Sequence, residues 1–113
     1  MSPTDDESRL RDMLDNAKAA VEAVRGRKLD DCRTDAILPA ALERFVEIVG
    51  EAASRVSDAR QETLPGIPWR PIIAMRHRLV HGYMTIDPRV IWDVITDDLP
   101  PLIAQLEQEL GDG

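Results

Sequence analysis

A chain of 113 residues, 43% hydrophobic and 31% charged, is sized for one folded domain with a single core and is not a low-complexity or fibrous polymer. No apolar run reaches membrane-spanning length, and the opening Met1-Ser2-Pro3-Thr4-Asp5-Asp6-Glu7 is acidic, unlike a signal peptide, so no membrane partner is expected and the protein is expected to be cytoplasmic. A lone Cys32 excludes an internal disulfide, and the net charge of −7 by itself argues against a nucleic-acid partner.

In chain order, residues 1–7 are expected to be a disordered acidic N-terminus and residues 111–113 a tail. Leu10, Leu14, Ala17, Val21 and Val24 recur at spacings of three and four, which predicts a helix over about 8–25. Gly26 closes it, with Arg25, Arg27 and Lys28 near the helix end that favours positive charge. Asp30-Asp31-Cys32-Arg33 reads as a polar loop. Thr34 or Asp35 caps a second helix, over about 36–57, with the stripe Ile37, Ala41, Phe45, Ile48, Ala52 and Val56. Pro39 lies early in that helix, which therefore starts a few residues later or bends. Gly50 falls mid-helix, at a cost of about 1 kcal/mol relative to alanine. That cost is either simply tolerated or offset by close approach of a neighbouring helix.

Residues 57–67, with Pro65-Gly66, form the longest loop. Pro68 and Pro71 bracket the start of a third helix, since proline is accepted in a first turn. It runs through Ile72, Met75, Leu79 and Val80, with Gly82 as its C′ residue. Asp87-Pro88 is a cap followed by proline at the first helical position. The last stripe, Ile91, Ile95, Leu99, Leu102, Leu106 and Leu110, stays in phase across Pro100-Pro101, so this is one kinked helix or two short helices sharing a face. No strand pattern or repeat appears. The prediction is an all-α, antiparallel bundle of four to five helices, with apolar surface left for a second copy.

Charge is unevenly spread. Residues 60–89 carry Arg60, Arg70, Arg76, Arg78 and Arg89 against Glu62 and Asp87, a net of +3, and the remainder of the chain carries −10. Arginines on a solvated helix face would give the same distribution. The positive region surrounds Arg76-His77-Arg78-Leu79-Val80-His81-Gly82-Tyr83, which holds both histidines and the only tyrosine. Arginine offers a planar, permanently charged fork for a phosphate. Histidine titrates near neutrality and can take a proton from a ribose 2′-hydroxyl or return one to a leaving oxygen. Together these are the needs of a ribonuclease that uses no metal. On an ideal helix, five residues place Arg76 and His81 about 140° apart. They share a site only if the helix ends near Gly82 or a second copy completes the cleft.

As a bare pattern Arg-x4-His is common, and a histidine at the core edge beside surface arginines is the plainer alternative. His77 and His81 also have the spacing of two metal ligands on one face. A zinc protease would need glutamate where Arg78 stands, and no cysteine-histidine cluster completes a site, so no metal and no other cofactor is assigned. Cys32 lacks any supporting nucleophile motif.

The segment from Met75 to Tyr83 resembles the signature of the HepT-like toxin family, within the HEPN superfamily. The likeness extends to Ile67-Pro68-Trp69-Arg70 before it, to Ile86-Asp87 and Val90-Ile91-Trp92 after it, and to Ile48-Val49-Gly50-Glu51-Ala52-Ala53 on the second helix. It covers about residues 9–106. His77 departs from the asparagine common after the motif arginine; a polar group is kept, which implies altered tuning with His77 in a supporting role. Pro39 also departs, away from the site.

The resemblance implies one HepT-like, HEPN-like helical domain over residues 1–113, assembled as a homodimer with a composite cleft. It implies a metal-independent endoribonuclease acting on RNA as a toxin, with Arg76 and His81 catalytic. It further implies an antitoxin partner, a minimal nucleotidyltransferase, that transfers AMP to Tyr83. Adenylate groups there would put bulk and negative charge where RNA phosphate binds. Tyr83 as a packing residue beside the helix end is the alternative for that side chain. For the whole chain the alternative is a non-catalytic helical dimer that positions a nucleotidyltransferase partner.

Overall fold

The computed structural model describes the backbone of residues 3–80 and 87–111, and the side chains of residues 5–75 and 87–111. Helices are the only regular structure among the described residues. The first helix, α1, spans Pro3–Val24, so it starts about five residues before the point its apolar stripe suggests. The expectation of a disordered segment over residues 1–7 is corrected for residues 3–7. Proline is accepted in a first turn, and Asp5 and Asp6 lie at the helix end that favours negative charge. Asp6 is buried. Its carboxylate accepts from the Ser57 amide at 2.9 Å and from the Ser57 hydroxyl at 2.6 Å. The same hydroxyl accepts from the Arg60 amide.

This pairing makes stability depend on pH. The Ser57 hydroxyl, and then the Ser57 amide, hold the Asp6 carboxyl below the ordinary carboxylate range. A lowered carboxylate contributes stability that is present above its unfolded value, near 4, and lost as pH falls through the folded one. Asp6→Asn should therefore lower the urea midpoint at pH 7, and the difference from wild type should shrink below about pH 4. Equal midpoints at pH 7 would show that the pairing does not stabilise the folded chain.

Gly26 closes α1 in the left-handed region, at φ +73°. The expected polar loop contains a short helix, α2, Asp31–Thr34, with Cys32 buried in it. Burial, then the Asp31 carboxylate, pushes the Cys32 thiol up, which favours the protonated form. The next helix, α3, spans Ile37–Ser54. Asp35 accepts from the amides of Ile37 and Leu38 and so caps α3 from two residues upstream. Pro39 is the third residue of α3, where a backbone amide has no intrahelical acceptor, so the helix neither starts later nor breaks.

The α3 core stripe is Leu38, Leu42, Val46, Val49 and Ala53, one residue out of register with the expected Ile37, Ala41, Phe45 and Ile48, whereas the expected Ala52 and Val56 are buried. Ile37 is 78% exposed, and Ala41, Phe45 and Ile48 are half-buried. Both stripes are apolar, and only packing chooses between them. α3 lies against α1 on one side and, on the other, against α5, the helix Trp69–Val80. Gly50 is buried in α3, as are Ala52 and Ala53, so this stretch of helix presents small residues to its neighbours.

After α3, α4 spans Asp58–Glu62 with Ser57 as a bonded N-cap, where a loop was expected. The remaining turn is pinned at two points. Trp69 Nε1 donates to the Leu64 carbonyl, and Gln105 Nε2 donates to the Gly66 carbonyl. Asp87 caps α6, Pro88–Asp93, with Pro88 at its start, as expected. A π-helical turn, Val94–Asp98, leads into α7, Leu99–Leu110, where the Leu99 amide bonds the Val94 carbonyl. The prolines explain the wide turn: neither Pro100 nor Pro101 has an amide hydrogen, and their rings would clash with carbonyls four residues back. The C-terminal segment is thus continuous, and Ile91, Ile95, Leu99, Leu102 and Leu106 all stay buried. Leu10, Leu42, Leu99 and Leu106 are fully inaccessible, and each contributes roughly 1.5–3 kcal/mol of transfer free energy. α1 packs on α3 and α7, while α5 and α6 both pack on α3.

Candidate active site

The site begins on α5. Ile72 and Met75 are buried, which fixes the rotation and height of the helix on the bundle. Arg76, His77 and Arg78 follow in its second half, and their backbone is helical. Their side chains, and residues 81–86 with His81, Gly82 and Tyr83, lie outside the described residues. The described chain resumes at Asp87, whose side chain accepts from the Arg89 amide and starts α6. Seven positions, 81–87, therefore join the end of α5 to the start of α6, and both helices rest on α3. That places Val80 and Asp87, the described residues on either side of residues 81–86, at the ends of helices that share α3 as their support.

The cations of the positive region differ in their surroundings. Arg60 is engaged: it bonds Glu109 at 2.7 Å and the Thr63 hydroxyl at 2.8 Å. Arg70 on α5 and Arg89 on α6 are largely exposed and pair with no described carboxylate. These two are the described cations that flank the motif and remain available to a polyanion. Net charge alone concealed this, because most of the carboxylates sit elsewhere. Cys32, buried and with its thiol pushed up, has the wrong environment for a nucleophile. No group of three or more metal-binding side chains occurs among the described residues. No described helix is long and apolar enough to cross a membrane.

Two grooves among the described residues bear on the site. One, of about 510 Å³, runs between α1 and α3 and is lined by charged side chains that largely pair with one another, such as Arg44 with Glu47 and Arg55 with Glu51. No described side chain of α5 lines it. The other, of about 350 Å³, lies between α5 and the start of α7 and includes Met75, the residue before Arg76. Sequence inspection missed it because its walls come from segments about thirty residues apart that are joined only by folding.

An all-helical bundle whose third long helix leads into an Arg-x4-His-x-Tyr segment is of the HEPN type. The profile of the family described as Ribonuclease HepT-like matches residues 13–109, and the chain belongs to that family. It is 32% identical over 101 residues to "Putative RNase TTE0752" of Caldanaerobacter subterraneus subsp. tengcongensis, covering 89% of this chain and 90% of that one. It is 30% identical over 102 residues to "Probable ribonuclease HepT" of Thermococcus cleftensis, covering 87% of this chain and 93% of the other. No solved structure matches it.

Proposed function

We propose that the chain is a metal-independent endoribonuclease, the toxin of a toxin–antitoxin pair, in which Arg76 and His81 act on the scissile phosphate. The observation that supports this reading is membership of the HepT-like ribonuclease family, together with a sequence motif that begins at Arg76 on α5, a helix docked on α3. His81 moves the proton of the ribose 2′-hydroxyl, whose oxygen attacks the adjacent phosphorus while the 5′-oxygen leaves. Arg76 neutralises the charge that builds on the phosphate. His77 supports the site beside Arg76, and Arg70 and Arg89 offer exposed positive charge to the flanking RNA. The test is cleavage of single-stranded RNA by the purified chain in excess EDTA. Cleavage should be undiminished; activity that disappears with the chelator would revive a metal mechanism.

The active form is a homodimer whose cleft draws on both copies. The exposed Ile37 and the half-buried Ala41, Phe45 and Ile48 on α3 support this, since they leave apolar surface beside the core stripe. A clean monomer by sedimentation at micromolar concentration would remove the second copy from the scheme.

Control falls on Tyr83, the only tyrosine of the chain. A minimal nucleotidyltransferase antitoxin adds AMP there, which places phosphate charge and bulk against the RNA path. Co-expression with such a partner should raise the intact mass by one or more AMP units and silence cleavage. Tyr83→Phe should prevent the mass change yet keep nuclease activity, because the phenol takes no part in proton transfer. Inhibition by a stoichiometric partner with no mass change would replace modification with occlusion.

A further inference from the structure

The groove between α5 and the start of α7 combines two features found together at no other described groove. Its walls are apolar and stiff: Pro68, Pro71 and Ile72 on one side, Pro101 and Leu102 on the other. Proline walls lose little freedom when covered, so an occupant pays a small ordering cost. Its rim is acceptor-rich. Asp97 and Asp98 border the groove, and among the described residues no hydrogen bond or ion pair engages either carboxylate. This contrasts with Asp6, Asp35, Glu47, Glu51 and Glu109, which all have partners. Pro100 and Pro101 cannot donate, so the helical bonds that the carbonyls of Thr96 and Asp97 would otherwise accept do not form. The donors nearby are committed: the Thr96 hydroxyl to the Trp92 carbonyl and the Gln105 amide to the Gly66 carbonyl.

A ligand for this groove must bring apolar bulk, hydrogen-bond donors and positive charge. RNA brings the wrong sign, because two adjacent carboxylates repel its phosphates. We propose that the groove is a docking site for a segment of a partner protein in which a bulky apolar side chain lies about one helical turn from a lysine or arginine. The apolar group enters between the proline walls, and the cation lies over Asp97 and Asp98. The contact abuts Met75 on α5, so the partner is held beside the helix that carries Arg76. The inference rests on this charge and shape complementarity and is independent of the nuclease chemistry.

The test uses the full chain and a phage-displayed library of short random peptides, selected at moderate salt because an acidic chain attracts any cation. Enriched peptides should pair a bulky apolar residue with lysine or arginine. Bound as free peptides, they should shift the amide NMR signals of Ile72, Asp97 and Asp98. Changing the peptide's apolar residue to alanine should weaken binding about tenfold. The surface variant D97N/D98N, its fold checked by circular dichroism, should bind about fivefold more weakly. Equal binding by D97N/D98N, shifts at other residues, or no enriched peptide would overturn the proposal. So would displacement of the peptide by oligouridylate, which would make the groove an RNA site. Shifts of the same signals with protein concentration alone would show a second copy as the occupant and would also overturn it.

Discussion

Replacing His81 with alanine is expected to lower RNA cleavage about a hundredfold or more while the far-ultraviolet circular dichroism stays unchanged. Attack by a 2′-hydroxyl needs a group that accepts a proton near neutral pH, and an imidazole is the side chain whose ordinary range lies there. The described core draws on α1, α3, α6, α7 and α5 up to Met75, so formation of the bundle does not hinge on one side chain at position 81. The loss should appear in the chemical step: single-turnover rates with saturating RNA should fall, and filter-binding affinity should change little. Unchanged cleavage in the alanine variant would take histidine 81 out of the mechanism. Loss of the helical signal would make the position structural.

Arg76→Lys is expected to remove most of the activity although the charge is kept. The guanidinium presents paired donors in a plane that matches two phosphate oxygens, whereas an ammonium is a point charge. Losing one charge-assisted hydrogen bond of roughly 1.5–3 kcal/mol slows cleavage by about tenfold or more. The backbone at Arg76 belongs to a helix anchored by buried Ile72 and Met75, so the lysine cannot recover the missing geometry by shifting its main chain. Arg78→Lys, two positions along the helix, should cost much less. Full activity in Arg76→Lys would mean that only bulk positive charge is required there.

Much of the fold was legible in the residues because period and punctuation agreed. The stripe from Leu10 to Val24 and the stop at Gly26 mark α1; Asp87-Pro88 marks α6; the phase from Ile91 to Leu106 held through the prolines. What escaped depended on distant partners. The first turn of α1 looked like an acidic tail because Ser57, which receives Asp6, lies 51 residues away. α2 and α4 have four and five residues, too few to display a helical period. In α3 two apolar stripes competed, and local pattern could not tell which would face α1 and α5. The π-turn needed the prolines to be weighed as missing donors as well as kinks. For the site, the composition and order of Arg76, His81 and Tyr83 were legible directly. The neighbouring groove was not, since its acidic rim and proline walls meet only in three dimensions.

The docking of both α5 and α6 on α3 sets an effective concentration. His81 is tethered to Arg76 by five residues, and the chain must reach Asp87 six residues after it. On the proposed mechanism, short tethers between fixed ends would keep the histidine near Arg76 without any further contact. Doubling the connection of residues 81–86 would cost only about 0.6 kcal/mol in closure entropy, so the bundle would persist. The Arg76–His81 spacing would be unchanged, while the hold of the far anchor, Asp87, on the segment would weaken roughly as the −3/2 power of tether length. On the proposed mechanism that loosening is about threefold, again about 0.6 kcal/mol, so chain length at this junction would weigh on turnover and on folding alike.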